Sequence, residues 1–444
     1  MSRMIKIKKG LDIPLVGKAS DRIENGTATT LFAITPDDFP GYTWKAAVKA
    51  GEDVLCGSPL LFAKEEPALC LTSPVSGKVA EINRGERRKI MFISVESDGK
   101  DKQIEINKST DKASLKDALL RSGLFAMMRQ RPFDIVPMVG ESPRDIFVTS
   151  FDTAPLAPEM LTGRSLDTLE AGLKALSMLT EGKVYLSVSK NSGITSDIAE
   201  VVEFDGPHPA GNVGTQIAAI APVNKGETVW TLDAVTASRI GLLATSGQLD
   251  YTTQVALTGS EFKDPHKVET RIGASLNTLL KGQLKNGEGK IRVISGNVLT
   301  GVMVNAQNGF LRYPYRQITA IPEGDDADEF MGWASMKPSK FSVKRTFPAF
   351  LTGLSKPFNF DARIKGGHRA MILSGEYDKV FPMDIYPEYL IKAIMAKDIE
   401  KMEQLGIYEV APEDFALPEF VDTSKIELQK IVREGLDYLR KETL

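Results

Sequence analysis

A leucine-rich amphipathic helix between two short apolar strands is the feature that most restricts the fold of this chain. Leucines recur at intervals of three and four in residues 165–180, a serine can cap the helix, and a glycine follows it. Apolar strands are predicted on either side, at residues 145–151 and 183–189. Successive parallel strands need a crossover of this kind. The sequence therefore predicts a parallel α/β domain, which we assign to residues 110–250.

The first hundred residues predict a small all-β domain. Residues 48–62 and 73–95 are two similar elements in which glycine-bearing turns separate short apolar strands. The pattern resembles the barrel-sandwich of biotinyl and lipoyl carrier domains, which implies such a domain at residues 1–100. In that fold a lysine on an exposed hairpin tip carries the prosthetic group. Here the attachment position falls on Glu66 rather than on Lys64, so we expect an unmodified, structural barrel.

Composition excludes several classes of function. The chain has 55 basic and 58 acidic residues and a formal net charge of −3, without the concentrated basic field of nucleic-acid-binding proteins. Its two cysteines, Cys56 and Cys70, indicate a reducing compartment and are too few for an iron–sulfur cluster held by four thiolates. Its three histidines lack metal-ligand spacing, so we expect no zinc site. Because no apolar run approaches the roughly 20 residues of a membrane helix, we expect a soluble chain that can still dock on a membrane complex.

The second half of the chain predicts two further units. Strand-like stretches around a short helix predict a small mixed domain at residues 251–330. Residues 331–444 predict a C-terminal region that ends in helices, one of them at residues 388–405. Ser424 and Glu427 have the spacing of a capping box at the start of a last amphipathic helix. The predicted fold class is therefore α+β and multidomain.

A glycine-rich loop at residues 206–216 is the first candidate site. Backbone amides around Gly206 and Gly211 can bind an anion in such a loop. The alternative is a rigid turn set by two prolines, with His208 hydrogen-bonded locally, and we favour this alternative. Because a G-x-G-x-x-G turn does not follow the strand at residues 145–151, and no P-loop lysine motif occurs, we expect no tightly bound nucleotide.

Two arginines beside an aromatic residue form the second candidate site. Arg129, Arg131 and Phe133 lie at and beyond the end of a helix predicted at residues 114–129. An aromatic ring can stack on a quinone, and arginines can donate to its carbonyl oxygens. The alternative, which we favour, is that the arginines end the helix, where the helix dipole favours positive charge. Alternating basic and apolar residues at 340–347 predict an exposed strand or a partner-docking face.

Seven motifs, in a fixed order along the chain, resemble those of a known family. They are IKIKKGLDIPLVG, TSPVSGKVAEINRG, RSGLFAMMRQRPF, FDGPHPAG, GASLNTLL, RVISGNVLTG and KFSVKRTF. Together they extend from Ile5 to beyond Pro382 and are similar to the A subunits of the bacterial sodium-translocating NADH:quinone oxidoreductases. The resemblance implies a complex that couples NADH oxidation and quinone reduction to Na⁺ export. It also implies that this chain is a peripheral subunit on the cytoplasmic side of the inner membrane, with the other subunits of the complex as partners.

The same resemblance implies what the middle of the chain has lost. Its α/β domain is similar to a Rossmann-like, degenerate version of the flavin-binding subunit of respiratory complex I and of the Rnf C subunit, and residues 251–330 are similar to an SLBB-type β-grasp domain. In those relatives a glycine-rich loop contacts FMN, whereas Met127 and Met128 fill the matching positions here. Their cluster-binding cysteines have no counterpart in residues 415–425. The resemblance therefore implies that this chain binds no cofactor, and that FMN, FAD, riboflavin and the iron–sulfur centres belong to the partner subunits.

Two functions are compatible with this resemblance. In the first, the chain takes part in the reaction by binding quinone, and the candidate residues are Arg129, Arg131, Phe133, Gly206, His208 and Gly211. In the second, it is a cofactor-free scaffold with no direct part in electron transfer. An independent flavoprotein of the Rnf type is a weaker alternative, because the glycine loop and the cysteines are missing. We expect the isolated chain not to be catalytic.

Overall fold

The computed structural model describes residues 3–26, 29–285, 290–325, 329–330, 334–351 and 356–443. Within these residues the strands, in chain order, are β1 (Arg3–Lys6), β2 (Ile23–Asn25), β3 (Leu31–Ile34), β4 (Trp44–Ala46), β5 (Asp53–Val54), β6 (Pro59–Ala63), β7 (Cys70–Thr72), β8 (Gly77–Arg84), β9 (Ile90–Ser97), β10 (Arg129–Arg131), β11 (Ile146–Thr149), β12 (Val184–Ser189), β13 (Glu200–Asp205), β14 (Val229–Asp233), β15 (Thr252–Thr258), β16 (Lys267–Arg271), β17 (Ile291–Ser295), β18 (Val302–Val304) and β19 (Gln317–Pro322). The helices are α1 (Lys112–Ser122), α2 (Leu166–Ser177), α3 (Val213–Ile220), α4 (Ala234–Ser246), α5 (Leu276–Leu279), α6 (Pro387–Met395), α7 (Ile399–Gln404), α8 (Ala416–Val421) and α9 (Leu428–Thr443). Among these described helices, none combines the length and the apolar character that crossing a bilayer requires.

The α/β domain is built on a six-stranded sheet in the order β1-β13-β12-β11-β14-β10. Every neighbouring pair except β10–β14 is parallel. The helix predicted at residues 165–180 is confirmed as α2, which connects β11 to its parallel neighbour β12. It packs closely on α4, because a Cβ atom on Gly172 would lie 1.9 Å from the carbonyl oxygen of Ala237. Glycine is therefore required where these two helices meet.

The helix predicted at residues 114–129 is wrong at its C-terminal end. α1 ends at Ser122, because Gly123 has a left-handed backbone with φ +75°. A short 3-10 turn follows, and the two arginines then lie in β10, which pairs antiparallel with β14. The apolar residues beyond Gly123 have helix-like spacing, but they are buried under the sheet rather than along one helix. The arginines therefore do not end a helix.

The N-terminal barrel-sandwich is confirmed. Its strands form two sheets, in the orders β3-β9-β8-β5 and β4-β6-β7, and the hairpin between β6 and β7 carries Lys64 in an exposed position. The two strands that precede the barrel lie elsewhere: β1 pairs with β13 in the α/β sheet and β2 pairs with β16 in the third domain. Alternating apolar and polar residues identify a strand but not the sheet that it joins.

The β-grasp domain has a mixed sheet in the order β18-β17-β19-β15-β16-β2, with the short helix α5 beside it. It is joined to the first two domains by a buried polar contact. The Thr72 hydroxyl lies 2.8 Å from the Tyr251 hydroxyl and 2.9 Å from the Ser122 carbonyl oxygen. Since one residue comes from each domain, this contact fixes how the three domains meet.

The C-terminal region is helical, but two predicted details are wrong. The helix predicted at residues 388–405 is divided into α6 and α7, because Lys397 between them has a left-handed backbone with φ +54°. The predicted capping box is not formed, because α9 begins only at Leu428 and the Ser424 hydroxyl donates to the Ala370 carbonyl. Residues 340–347 form turns rather than the predicted strand.

Candidate ligand cleft

A cleft of about 210 Å³ lies at the carboxyl ends of β11 and β14. Ligands of α/β proteins bind at this edge of the sheet. The α/β domain, the β-grasp domain and the C-terminal region all contribute to its walls. The lining residues with the clearest chemistry are Arg129, Phe151, Gly211, Tyr313, Arg316 and Glu413.

One end of the cleft is closed by an ion pair between two domains. Asp233 accepts the amide of Thr236 at 2.8 Å, which caps α4, and it also accepts a hydrogen bond from the Arg316 guanidinium at 2.9 Å. Burial would raise the pKa of Asp233, but Arg316 and the capped amide together hold it below its usual range. The carboxylate is therefore charged, and it is the negative group that caps the N-terminus of α4.

Arg129 supplies a positive charge at the edge of the cleft. Its guanidinium donates to the carbonyl oxygens of Asp38, Ala126 and Met128, and it lies 5.9 Å from the ring centre of Tyr313. None of the salt bridges among the described residues involves Arg129. Its charge is therefore held in place by carbonyl groups and not neutralised by a contacting carboxylate.

Glu413 supplies a carboxyl group from the C-terminal region. It lies in a 3-10 turn, Pro412–Phe415, where it is exposed and lines the cleft. Desolvation of its carboxyl group by the neighbouring protein raises the pKa of Glu413 to about 8, and the nearby carboxylates of Asp414 and Asp152 add to this effect. Arg131 opposes the shift without cancelling it. The raised pKa favours the protonated form of Glu413, which can donate a hydrogen bond.

Arg131 and Phe133 do not share a surface with Arg129. Arg131 is only 1% exposed, and its guanidinium donates to Asp414 at 2.9 Å and to the Glu409 carbonyl at 3.2 Å. Phe133 is buried in the apolar cluster of the C-terminal helices. Both residues thus lie behind the cleft, where Arg131 holds the turn that carries Glu413.

The loop at residues 206–216 is a rigid turn, and α3 begins within it at Val213. His208 is buried, its amide donates to Asp12 at 2.9 Å, and its Nδ1 lies 3.2 Å from the Thr153 hydroxyl. Burial lowers the pKa of His208, which is therefore neutral, even though Asp152 and Asp12 favour the charged form. The amide of Gly211 donates to Thr153 at 2.9 Å. Since these amides already have partners, the geometry favours the structural turn over the anion cradle.

Two of the six candidate residues, Arg129 and Gly211, line the cleft, whereas Gly206 packs against the Ile7 carbonyl behind it. Within the part of the chain that the structure describes, no three histidine, cysteine, aspartate or glutamate side chains are placed to hold a metal ion.

Comparisons with known proteins agree across the chain. Residues 5–98 match the family model of the NqrA N-terminal barrel-sandwich hybrid domain, residues 110–249 that of the NqrA second alpha/beta domain, and residues 254–306 that of the NqrA C-terminal domain. The A subunits of the Na(+)-translocating NADH-quinone reductases of Serratia proteamaculans and Vibrio anguillarum are each 39% identical to this chain, over 99% of it and 100% of their own length. The chain belongs to this family, NqrA. The resemblance drawn from the seven motifs is confirmed.

A more distant relative extends the same result. The NqrA protein of Rhodopirellula baltica is 36% identical over 98% of both chains. Among solved structures, a chain of a NAD⁺-reducing NiFe-hydrogenase is 12% identical over 74% of this chain and 61% of that chain, with a TM-score of 0.37. A likeness of that size supports no argument.

Sequence reasoning missed five of the cleft residues used above: Phe151, Asp233, Tyr313, Arg316 and Glu413. Asp233 left a usable signal, because an aspartate that follows the apolar run VWTL and precedes a helix is a typical N-cap. Arg316 and Glu413 left none. They reach the cleft from the β-grasp domain and the C-terminal region, through contacts between residues far apart in sequence.

Proposed function

We propose that this chain is the peripheral, cytoplasmic-side NqrA component of a complex that couples NADH oxidation and quinone reduction to Na⁺ export, and that it binds a quinone ring in the cleft. Full-length similarity to named NqrA proteins supports the first part. The partners are the other subunits of the complex, and the flavins and iron–sulfur centres belong to those partners. The cleft supports the second part.

The observation that carries the quinone proposal is an apolar cleft with a hydrogen-bond donor from Glu413 and a positive charge from Arg129. A quinone ring is flat and apolar and has two carbonyl acceptors. Phe151 and Tyr313 offer aromatic surface to such a ring. Protonated Glu413 can donate to one carbonyl oxygen, and Arg129 stabilises negative charge that develops on the ring when it is reduced.

The size of the cleft sets the class of ligand. About 210 Å³ lies below the range of roughly 300–1,000 Å³ that is typical of sites for drug-sized ligands. The space suits a single head group rather than a dinucleotide. In this arrangement Arg129 and Gly211 contact the ring, Arg131 positions Glu413 through Asp414, and Phe133, Gly206 and His208 support the walls.

Titration of the purified chain with a short-chain, water-soluble quinone tests this proposal. Thr300 also lines the cleft, so Thr300→Trp is expected to fill it and weaken binding by at least about tenfold. Thr195→Trp, at an exposed position away from the cleft, is the matched control and should bind as the wild type does. Absence of binding by the wild-type chain, or equal affinity in the Thr300→Trp variant, would overturn the proposal.

The scaffold function is supported by a different observation. The ion pair between Asp233 and Arg316, 2.9 Å apart, joins the α/β domain to the β-grasp domain, as expected of a contact that stabilises the fold. The scaffold function is supported if the wild-type chain binds no quinone and the other subunits nevertheless fail to assemble when this chain is absent.

A further inference from the structure

A stretch near the C-terminus differs in charge from the rest of the chain. Residues 334–374, here called the basic segment, contain a single acidic residue, Asp361, although the whole chain has slightly more acidic than basic residues. The eight basic residues of the segment are Lys337, Lys340, Lys344, Arg345, Lys356, Arg363, Lys365 and Arg369. Three of these cations, Lys340, Arg363 and Lys365, are paired with Glu329, and Lys344 lies 3.7 Å from Glu376, so the local positive charge comes chiefly from the remaining cations of the segment.

The basic segment also exposes large apolar side chains. Met336 is 88% exposed and Leu351 is 75% exposed. Five further apolar residues of the segment are exposed as well: Val343, Phe350, Ile364, Ile372 and Leu373. Several exposed apolar side chains within one stretch of the chain indicate a contact surface, whereas single exposed apolar residues are ordinary.

The inner side of the segment is firmly attached to the protein. The buried carboxylate of Glu329 binds Lys340 at 2.9 Å and Arg363 and Lys365 at 2.8 Å each. The ring of Phe341 packs against those of Phe358, Phe360 and Phe420. Lys340, Phe341, Arg363 and Lys365 are therefore held by contacts with the rest of the protein, and the exposed apolar and basic groups lie near them in the chain.

The outer side combines the two kinds of group. Lys337, Lys356 and Arg369 are exposed, and the guanidinium of Arg345 lies 5.5 Å from the ring centre of the exposed Phe350. This pairing of positive charge with apolar surface is typical of protein segments that lie at a bilayer interface.

Two exposed tyrosines lie at the start of α6. Glu388 accepts hydrogen bonds from the amides of Ser374 and Gly375 at 2.9 Å, which ties the end of the segment to this helix. Tyr386, which directly precedes this helix, and Tyr389 within it are 69% and 53% exposed, and their ring centres lie 6.2 Å apart. Tyrosine is enriched at the interface between membrane and water, because its ring is apolar and its hydroxyl is polar.

We propose that the basic segment, together with Tyr386 and Tyr389, binds the anionic phospholipid headgroups of the membrane on which the complex lies. Lysine and arginine are attracted to such headgroups, and the exposed apolar side chains insert between them. The main alternative partner is a membrane subunit of the complex. The cytoplasmic loops of membrane proteins are rich in lysine and arginine, so they repel a basic surface. Anionic lipid, by contrast, attracts such a surface. This choice of partner rests on the cytoplasmic-side placement proposed above.

Co-sedimentation of the full-length chain with lipid vesicles tests the inference. The wild-type chain is expected to bind vesicles of phosphatidylcholine mixed with phosphatidylglycerol, to bind pure phosphatidylcholine much more weakly, and to dissociate as salt rises. Neutralising four exposed cations should weaken binding by at least about tenfold. The four substitutions are Lys337→Gln, Arg345→Gln, Lys356→Gln and Arg369→Gln.

A matched variant controls for net charge. Lys45, Lys49, Lys100 and Lys108 are exposed lysines outside the segment, and replacing all four by glutamine should leave vesicle binding unchanged. A second variant, with Met336→Ser and Leu351→Ser, keeps every charge and should also bind more weakly. Thermal unfolding of each variant verifies that it is folded.

Two results would overturn the inference. The first is that the wild-type chain does not bind anionic vesicles. This includes the case in which the four substitutions weaken only binding to the detergent-solubilised remainder of the complex. The other is unchanged vesicle binding by the four-cation variant. Quinone titration is a separate measurement, so failure of the quinone proposal leaves the vesicle result interpretable.

Discussion

Replacing Arg131 by methionine is expected to destabilise the junction between the α/β domain and the C-terminal helices. The side chains of Arg131 and Asp414 are each 2% exposed, and Arg131→Met leaves the Asp414 carboxylate buried without its cation. Loss of one partner from a buried ion pair costs about 3–5 kcal/mol. Asp414 keeps the amide of Ala411, which it binds at 2.8 Å, so we expect the lower end of this range, about 3 kcal/mol.

Hydrogen–deuterium exchange measured by mass spectrometry can locate this loss. Amides in residues 409–421 should exchange faster in the variant, by an amount that corresponds to about 3 kcal/mol of local opening free energy. The double variant Arg131→Met with Asp414→Asn should recover about 1–2 kcal/mol, because it removes the unpaired charge. Lys183→Met, which breaks a solvent-exposed pair with Glu200, is the control and should change nothing. A loss below about 1 kcal/mol in the single variant would refute the assignment of a buried, charged pair.

Four further results are expected. The raised pKa of Glu413 means that the folded chain keeps a proton which the unfolded chain releases above the ordinary value of 4.5, so stability falls as the pH rises towards about 8. Glu413→Gln removes this fall, so it should raise the free energy of unfolding at pH 8 by about 1 kcal/mol after allowing for the exposure of the side chain, and thermal unfolding should show a higher midpoint at pH 8 but not at pH 4. Gly172→Ala should cost about 1–3 kcal/mol by forcing α2 away from Ala237, whereas Gly140→Ala, which has no atom within 4 Å of the new Cβ, should be neutral in thermal unfolding. Intact-mass measurement after expression in a lipoylating host should show Lys64 unmodified; a mass increase on its hairpin would contradict the structural barrel. The absorption spectrum of the purified chain should lack a flavin band, and a stoichiometric one would revive the Rnf-type alternative.

The sequence predicted best those elements whose signals are local. The regular spacing of leucines predicted the helix α2, and the apolar runs on either side predicted the strands β11 and β12. The structure confirms all three elements. The barrel-sandwich was predictable for a related reason, because glycine-bearing turns fix where short strands reverse. In both cases the local conformational preference of each residue agrees with the structure that the residue adopts in the folded chain.

Predictions failed where pairing partners are distant in sequence. The stretch around Arg129 has helix-like apolar spacing, yet Gly123 ends α1 and the chain then pairs with β14, about a hundred residues later. The first strand alternates as a strand should, but its partner is β13 rather than a neighbour in the barrel. Lys397 divides a predicted helix because it adopts a left-handed backbone, for which lysine carries no local signal. Tertiary contacts decide such cases, and a single sequence does not contain them.

The buried pair of Arg131 and Asp414 joins the two candidate functions physically. Asp414 is the neighbour of Glu413 in one short turn, so a change that loosens the C-terminal helices also displaces the carboxyl group that faces the cleft. Loss of quinone binding in the Arg131→Met variant therefore does not by itself show that Arg131 contacts the ligand. Glu413→Gln is the discriminating change, since it keeps the size of the side chain and a hydrogen-bond donor while removing the proton that can be lost. If quinone affinity of the wild type falls as the pH rises through about 8, and affinity of Glu413→Gln does not, the carboxyl group acts on the ligand and not only on the fold.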